Sequence, residues 1–228
     1  VCLIIYLSLL LNKISKDLSG IPINKLTKMI ISTYIKKLES LDCSPRIKDV
    51  PRKEWPLEFQ KGEHLFWQVP RSTAQFLFSL VSFVQPKILL ELGTSVAYSA
   101  IWLASAMPTG AHLHSIEFSE KRHALAKESI SACQLNNQVT LYQGKFAAVL
   151  ETWNQTIDFL FIDADKLAYL ENFMRLEPFF KKGTLIVADN ILDDPVKMKP
   201  FTDYLRSHKD FSSTIVHLDN GLLVARKN

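Results

Sequence analysis

The chain reads as an α/β protein built on a mostly parallel sheet with helices on both faces. From about residue 64 onward, short apolar runs alternate five times with segments of helical periodicity, and most of the runs stop at an acidic residue. That alternation is what a parallel sheet with crossover helices requires. Near the end, two strand-like runs flank Asn220-Gly221, a pair suited to a two-residue hairpin, which adds an antiparallel strand. The composition agrees: 228 residues, 47% hydrophobic and 22% charged, suffice for one sizeable core and a short extension but not for two full domains. A disordered, collagen-like or polytopic membrane chain is excluded.

Taken in order, residues 1–11 (VCLIIYLSLLL) are apolar except at Ser8. Eleven residues are too few to span a bilayer, which takes about 20, and no basic segment precedes them as a signal peptide would need. Two readings stay open: a helix packed on the domain or a partner subunit, or the stub of an anchor or signal segment. Residues 24–41 place Leu26, Met29, Ile30, Tyr34, Leu38 and Leu41 at helical spacing, which predicts an amphipathic helix. Cys43 to Glu58 holds Pro45, Pro51 and Pro56 and reads as a linker or irregular cap. Residues 1–62 are therefore expected to form an N-terminal extension and residues 63–228 the main domain.

Within that domain the expected elements are a helix over Phe76–Val84, a strand over Lys87–Leu92, a helix over Tyr98–Met107 and a strand over His112–Glu117. A helix carrying His123, Ala126, Ile130 and Cys133 follows, then strands at Val139–Tyr142, Ile157–Ile162 and Thr184–Ala188. Tyr169, Phe173, Leu176 and Phe180 line one face of the helix between the last two. Pro200 suits the first turn of a last helix, before strands at Phe211–Leu218 and Leu222–Arg226.

Charge and cysteine usage narrow the function classes. Residues 1–62 carry 11 Lys and Arg against 6 Asp and Glu, and the remainder 16 against 17, so the formal +4 of the whole chain is N-terminal in origin. A main domain near neutrality, with no basic stripe interleaved with aromatics, argues against a nucleic-acid partner. Cys2, Cys43 and Cys133 are odd in number and lack zinc or CxxC spacing. They point to a reducing, cytoplasmic compartment, with membrane association through residues 1–11 left open.

In an open parallel sheet, ligands bind beyond the carboxyl ends of the strands. There the first strand offers Glu91, Gly93, Tyr98 and Ser99, the second Glu117, the fourth Asp163 and Lys166, and the fifth Asp189 and Asn190. Gly93 suits a tight turn with close backbone approach, and Glu117, 24 residues on, is placed to accept both hydroxyls of a ribose. A dinucleotide is disfavoured because Ser95 and Ala97 stand where GxGxxG has its later glycines. Two carboxylates and an amide at neighbouring strand ends suit a hard divalent cation, although they also suit plain polar caps. Lys166 is placed to act as a base beside such a cation, or is a solvated surface lysine.

ILLELGTSVAYSAIWLA (88–104), HSIEFSEKR (114–122), IDFLFIDADK (157–166), KKGTLIVADN (181–190) and DNGLLVARK (219–227) resemble, in this order, the motifs of the cation-dependent O-methyltransferases, which include the catechol and caffeoyl-CoA enzymes. The resemblance covers roughly residues 65–228. It implies a Rossmann-like class I methyltransferase fold, a seven-stranded sheet with its last strand antiparallel, using S-adenosylmethionine. It further implies that Glu91, Gly93, Tyr98 and Ser99 hold the methionine portion, Glu117 the ribose and Phe118 a face of the adenine. Val69 would make a backbone cofactor contact, and Asp163 would also border the cofactor. Asp163, Asp189 and Asn190 would ligate the cation (Mg²⁺ foremost, Mn²⁺ or Ca²⁺ as alternatives), with Lys166 and Asp163 as the catalytic pair. The acceptor would be a small molecule with adjacent hydroxyls, of catechol type, and a homodimer stays open as the assembly.

Three departures accompany the resemblance. The family's GxxxG after the first strand ends here in Ala97, the stretch ILDDPVKMKP after Asn190 lacks a Trp-Gly segment, and the first 60 residues do not match. A metal-independent methyltransferase of the same fold, or a non-catalytic cofactor- or partner-binding relative, are the competing readings. Trp55, Phe66 and Trp67 would wall an aromatic acceptor or belong to the core.

Overall fold

The structure, a computed structural model, describes residues 23–41 and 66–228. The apolar run 1–11, the proline-rich segment from Cys43 to Glu58, Trp55, Cys2 and Cys43 lie outside the described residues. Seven strands form one sheet: β1 (Ile88–Leu92), β2 (His112–Glu117), β3 (Val139–Gln143), β4 (Ile157–Ile162), β5 (Phe180–Ala188), β6 (Phe211–Val216) and β7 (Leu222–Lys227), in the order β3-β2-β1-β4-β5-β7-β6. β1 to β5 pair in parallel, and β7 runs antiparallel between β5 and β6. The strand order reverses between β1 and β4, and a crevice opens at such a switch point.

Among the described residues seven α-helices accompany the sheet: α1 (Ile23–Leu41), α2 (Arg71–Val84), α3 (Tyr98–Ala106), α4 (Glu120–Ala132), α5 (Phe146–Leu150), α6 (Tyr169–Leu176) and α7 (Pro195–Ser207). Successive strand residues face opposite sides, so β4 sends Phe159 and Phe161 to one core and Leu160 and Ile162 to the other. The first core packs under α1 to α4 and is rich in alanine, at Ala97, Ala100, Ala104, Ala106 and Ala126. The second lies under α5 to α7 and is aromatic: the Phe173 ring has Phe180, Phe201 and Phe211 at centroid distances of 5.3, 5.7 and 5.4 Å. Small side chains let helices sit close to a strand, whereas offset rings fill a wider gap. α1 buries Tyr34, Ile35 and Leu38 in the first core, and Tyr34 hydrogen-bonds Ser129 of α4 at 3.3 Å.

Several expected boundaries move for identifiable reasons. α2 begins at Arg71 rather than Phe76, because its cap comes from across the molecule: one Asp219 carboxylate oxygen accepts from Ser72 Oγ (2.5 Å), Thr73 N (3.1 Å) and Thr73 Oγ1 (2.8 Å). Holding Asp219 there makes the β6–β7 connection a five-residue loop, 217–221, rather than a two-residue hairpin on Asn220-Gly221. Its carbonyls Gly221 O and Asn220 O also accept from Ile191 N (3.0 Å) and Leu192 N (2.8 Å).

α7 starts at Pro195, which the Asp194 carboxylate caps by accepting from Lys197 N (3.2 Å), so Pro200 sits inside the helix instead of in its first turn. The carbonyl that Pro200 leaves without a donor belongs to Val196, whose side chain is 83% exposed. α6 ends at Leu176, so Phe180 packs beside Phe173 from the first position of β5 rather than along the helix. The short α5 was not foreseen, since five residues carry too little periodicity.

Candidate active site

A cavity of about 850 Å³ runs along the carboxyl ends of β3, β2, β1, β4 and β5. Gly93 turns the chain out of β1 with φ +103°, and a Cβ there would stand 1.8 Å from the carbonyl oxygen of Asp163. Glycine is required because two strand ends cross, a cause independent of any ligand. The Glu117 carboxylate at the end of β2 is buried and accepts from Ser95 N and Ser119 N, each at 2.8 Å, with the Arg122 guanidinium 4.0 Å away. Phe118 follows it, 60% exposed on the cavity wall.

Glu91 lies deeper, fully buried, with Oε2 accepting from Ser115 Oγ at 2.5 Å and Oε1 without a partner. Burial pushes its carboxyl up to about 8, against the pull of the Ser115 and Ser99 hydroxyls. Val69 and Ser99 are buried too, and the Tyr98 hydroxyl turns to α1, donating to Glu39 at 2.7 Å. Of the residues singled out from the sequence, the cavity wall gathers Gly93, Glu117, Phe118, Asp163, Lys166 and Asn190. Val69, Glu91, Tyr98, Ser99 and Asp189 are buried and do not form part of that wall. Trp67, 37% exposed, lines the wall, while Phe66 packs against the core.

At the ends of β4 and β5, Asn190 adopts φ +64°, a conformation asparagine tolerates better than most residues. Its side-chain amide donates to Asp163 Oδ1 at 2.9 Å and its backbone N–H to Asp189 Oδ1 at 2.7 Å. The buried Tyr169 hydroxyl ties both strand ends together, within 3.3 Å of Ile162 O, Asp189 O and Ala164 N. Both carboxyls are held above the ordinary range: burial is the main cause for each, and for Asp189 the neighbouring Asp163 charge adds to it. Lys166 Nζ lies 3.2 Å from Asp193 Oδ2.

Among the described residues no group of three or more His, Cys, Asp or Glu side chains is arranged to hold a metal ion. The oxygen set here is two carboxylates and one amide. It nonetheless fits a hard cation, because the nearby Lys166 lowers both carboxyls without offsetting the burial that raises them. Cys133 is buried and free, its thiol pushed up to about 12 by burial, as suits a packing residue.

Sequence reasoning missed Ser95, Arg122, Lys145, Phe146, Asn172 and Asp193, all on the wall. Ser95 lies within the motif after β1, where its position in the sequence signals only a missing glycine. Phe146 and Lys145 belong to the unforeseen α5 and its cap, and Asp193 to a loop whose path depends on the β6–β7 connection.

A model of the O-methyltransferase family matches residues 58–210. Over 130 residues the chain is 38% identical to the catechol O-methyltransferase of Niastella koreensis, a stretch covering 55% of this chain and 59% of that protein. Over 158 residues it is 27% identical to caffeoyl-CoA O-methyltransferase 2 of Petunia hybrida, covering 64% and 65%. The matches thus span little more than half to two thirds of these curated relatives. The fold is similar to that of an O-methyltransferase from Bacillus cereus solved in complex with SAH, with a TM-score of 0.68 and 25% identity over 84% of this chain and 100% of that one. With the family model covering more than half of its length, the chain belongs to the O-methyltransferase family.

Proposed function

We propose that the chain is an S-adenosylmethionine-dependent O-methyltransferase acting on a small vicinal diol of catechol type, with a divalent cation held by Asp163, Asp189 and Asn190. The observation that carries this reading is the single cavity with an acid suited to a ribose, Glu117, toward one end and Asp163, Lys166 and Asn190 toward the other. The relatives named for catechol and caffeoyl-CoA support the acceptor class.

When bound, S-adenosylmethionine supplies an electrophilic methyl group, and a divalent cation supplies charge that favours the ionised form of an acceptor hydroxyl. Glu117, with both oxygens already fixed by backbone N–H groups, keeps spare lone pairs for hydroxyls. Glu91 Oε1, buried without a partner, suits an ammonium group such as that of the methionine portion. Lys166 Nζ, paired with Asp193, is placed to steer the acceptor's hydroxyl, and it can take that proton only after its own ammonium has released one to solvent. Trp67 supplies an apolar face that orients a planar acceptor and keeps water from it.

The test is calorimetric titration with S-adenosylmethionine, then methyl transfer to a simple catechol with Mg²⁺ and with EDTA. Binding with EDTA-sensitive turnover is the expected outcome. Turnover indifferent to EDTA would remove the cation, and absence of binding would remove the enzyme reading.

A further inference from the structure

α6 turns Tyr169, Asn172, Phe173 and Leu176 inward, the spacing of a core-facing helix stripe. Three of the four are hydrophobic or aromatic, and the fourth is an amide. Asn172 is only 4% exposed, forms part of the cavity wall, and has an amide nitrogen that is buried with no hydrogen-bond partner. Leaving such a donor buried and unused is unfavourable. A leucine would avoid that cost, so the amide calls for a partner that the protein does not contain.

The neighbourhood says what kind of partner. Phe118 from the end of β2, Phe146 and Ala147 from the start of α5, and Ala164 after β4 line the same cavity. Rings and methyl groups suit the faces of a flat heteroaromatic ligand, and an amide suits its edge. A primary amide offers a donor and an acceptor side by side. Adenine presents the complement, an exocyclic amino donor beside a ring-nitrogen acceptor, and asparagine pairs with it through two hydrogen bonds. Asp163, Lys166 and Asp193 on the same wall carry the charges that reaction chemistry would use and so are the poorer partners for a neutral base.

We infer that Asn172 is a binding residue that reads the adenine edge of the cofactor, with Phe118 and Phe146 against the ring. The inference rests on the proposed S-adenosylmethionine reading and adds a contact that the strand-end motifs do not include. It makes the first turn of α6 part of the cofactor site.

The experiment titrates S-adenosylhomocysteine and S-inosylhomocysteine into the full chain and its Asn172→Ala and Asn172→Asp variants, with melting temperatures recorded without ligand. Inosine replaces the amino donor by a carbonyl while the ring nitrogen N7 stays an acceptor, so two acceptors face the amide and one of its two hydrogen bonds is lost. The wild type should prefer the adenosyl compound by about tenfold or more. Asn172→Ala should weaken the adenosyl compound by about the same factor, and its preference over the inosyl one should largely vanish. Its melting temperature should hold, because no hydrogen bond of the amide nitrogen is lost in the free protein.

Asn172→Asp keeps the shape and removes the donor, and should behave like the alanine variant toward the adenosyl compound. Wild-type binding with Asn172→Ala within twofold of it would overturn the inference alone. Equal weakening of both ligands would do so as well, since that marks a structural role. A wild type that binds neither compound would remove the inference together with the reading beneath it.

Discussion

The two ends of the cavity hold their acids in opposite ways. At the β2 end the protein finishes the job itself: each Glu117 oxygen accepts a backbone N–H at 2.8 Å, and an arginine stands nearby. At the β4–β5 end, Asp163 and Asp189 share one asparagine between them, and burial holds both carboxyls above their ordinary range against the pull of the Lys166 ammonium, with the Asp163 charge adding to the effect at Asp189. Fixed dipoles can stabilise a charge without a ligand, whereas two crowded carboxylates call for a counter-ion. The first end is settled by fixed backbone dipoles in the free protein, and the second is left with carboxyls that burial holds high, which is where the proposed cation would act.

That difference can be broken at either end, and the signs should differ. Asp163→Asn keeps the acceptor for the Asn190 amide but removes one of the two crowded charges. Turnover should fall by on the order of 100-fold or more, since cation-assisted charge stabilisation is worth several kcal/mol, while the melting temperature of the free protein should be no lower than wild type. Initial rates with saturating Mg²⁺ and a thermal melt check both parts, and a destabilised variant with intact turnover would contradict the assignment. Glu117→Ala should do the reverse to the free protein, lowering its stability by about 1–2 kcal/mol because two backbone N–H groups lose a charged acceptor. S-adenosylhomocysteine affinity should drop by about 2 kcal/mol, roughly 30-fold, with the loss of two charge-assisted hydrogen bonds. Calorimetry beside a denaturant titration separates the two quantities, and an unchanged affinity would remove the ribose role.

How much of this was legible depended on whether the cause was local. The seven strands, and the acids that end β1, β2, β4 and β5, show as apolar runs stopping at a carboxylate, because a parallel strand buried on both faces must emerge into a polar site. Gly93 was found as well, although its cause is the Asp163 carbonyl rather than a ligand. Long-range causes were not legible. The start of α2 depends on Asp219, 146 and 147 residues away, and the five-residue β6–β7 loop follows from the same contact. Asn172 was read past because its helix stripe looks like core, and only the missing partner distinguishes it. Nor could periodicity show that Tyr98 turns its hydroxyl to Glu39, since α1 reaches α3 only through the tertiary fold.

The smallest effect concerns the turn between β1 and α3, where two side-chain-bearing residues adopt left-handed backbone: Ser95 at φ +50° and Ala97 at φ +69°. Such a conformation costs a non-glycine residue on the order of 1 kcal/mol. At Ala97 the methyl group is fully buried in the first core, and burying it returns about 0.8 kcal/mol. Relief and loss nearly cancel, so Ala97→Gly should leave stability within about 0.5 kcal/mol of wild type. Because Ala97 does not line the cavity, its effect on cofactor affinity should be small too. Ser95 borders the cavity with a buried hydroxyl oxygen that has no partner in the free protein. Ser95→Gly therefore relieves the backbone and removes an unsatisfied group while giving up little packing. It should raise stability by about 1 kcal/mol, or roughly 2–4 °C in melting temperature for a domain of this size. Paired melts of the two variants decide the matter: a stabilised Ala97→Gly beside a neutral Ser95→Gly would mean that the buried Ala97 methyl does not offset its backbone strain and that the Ser95 hydroxyl costs nothing in the free protein.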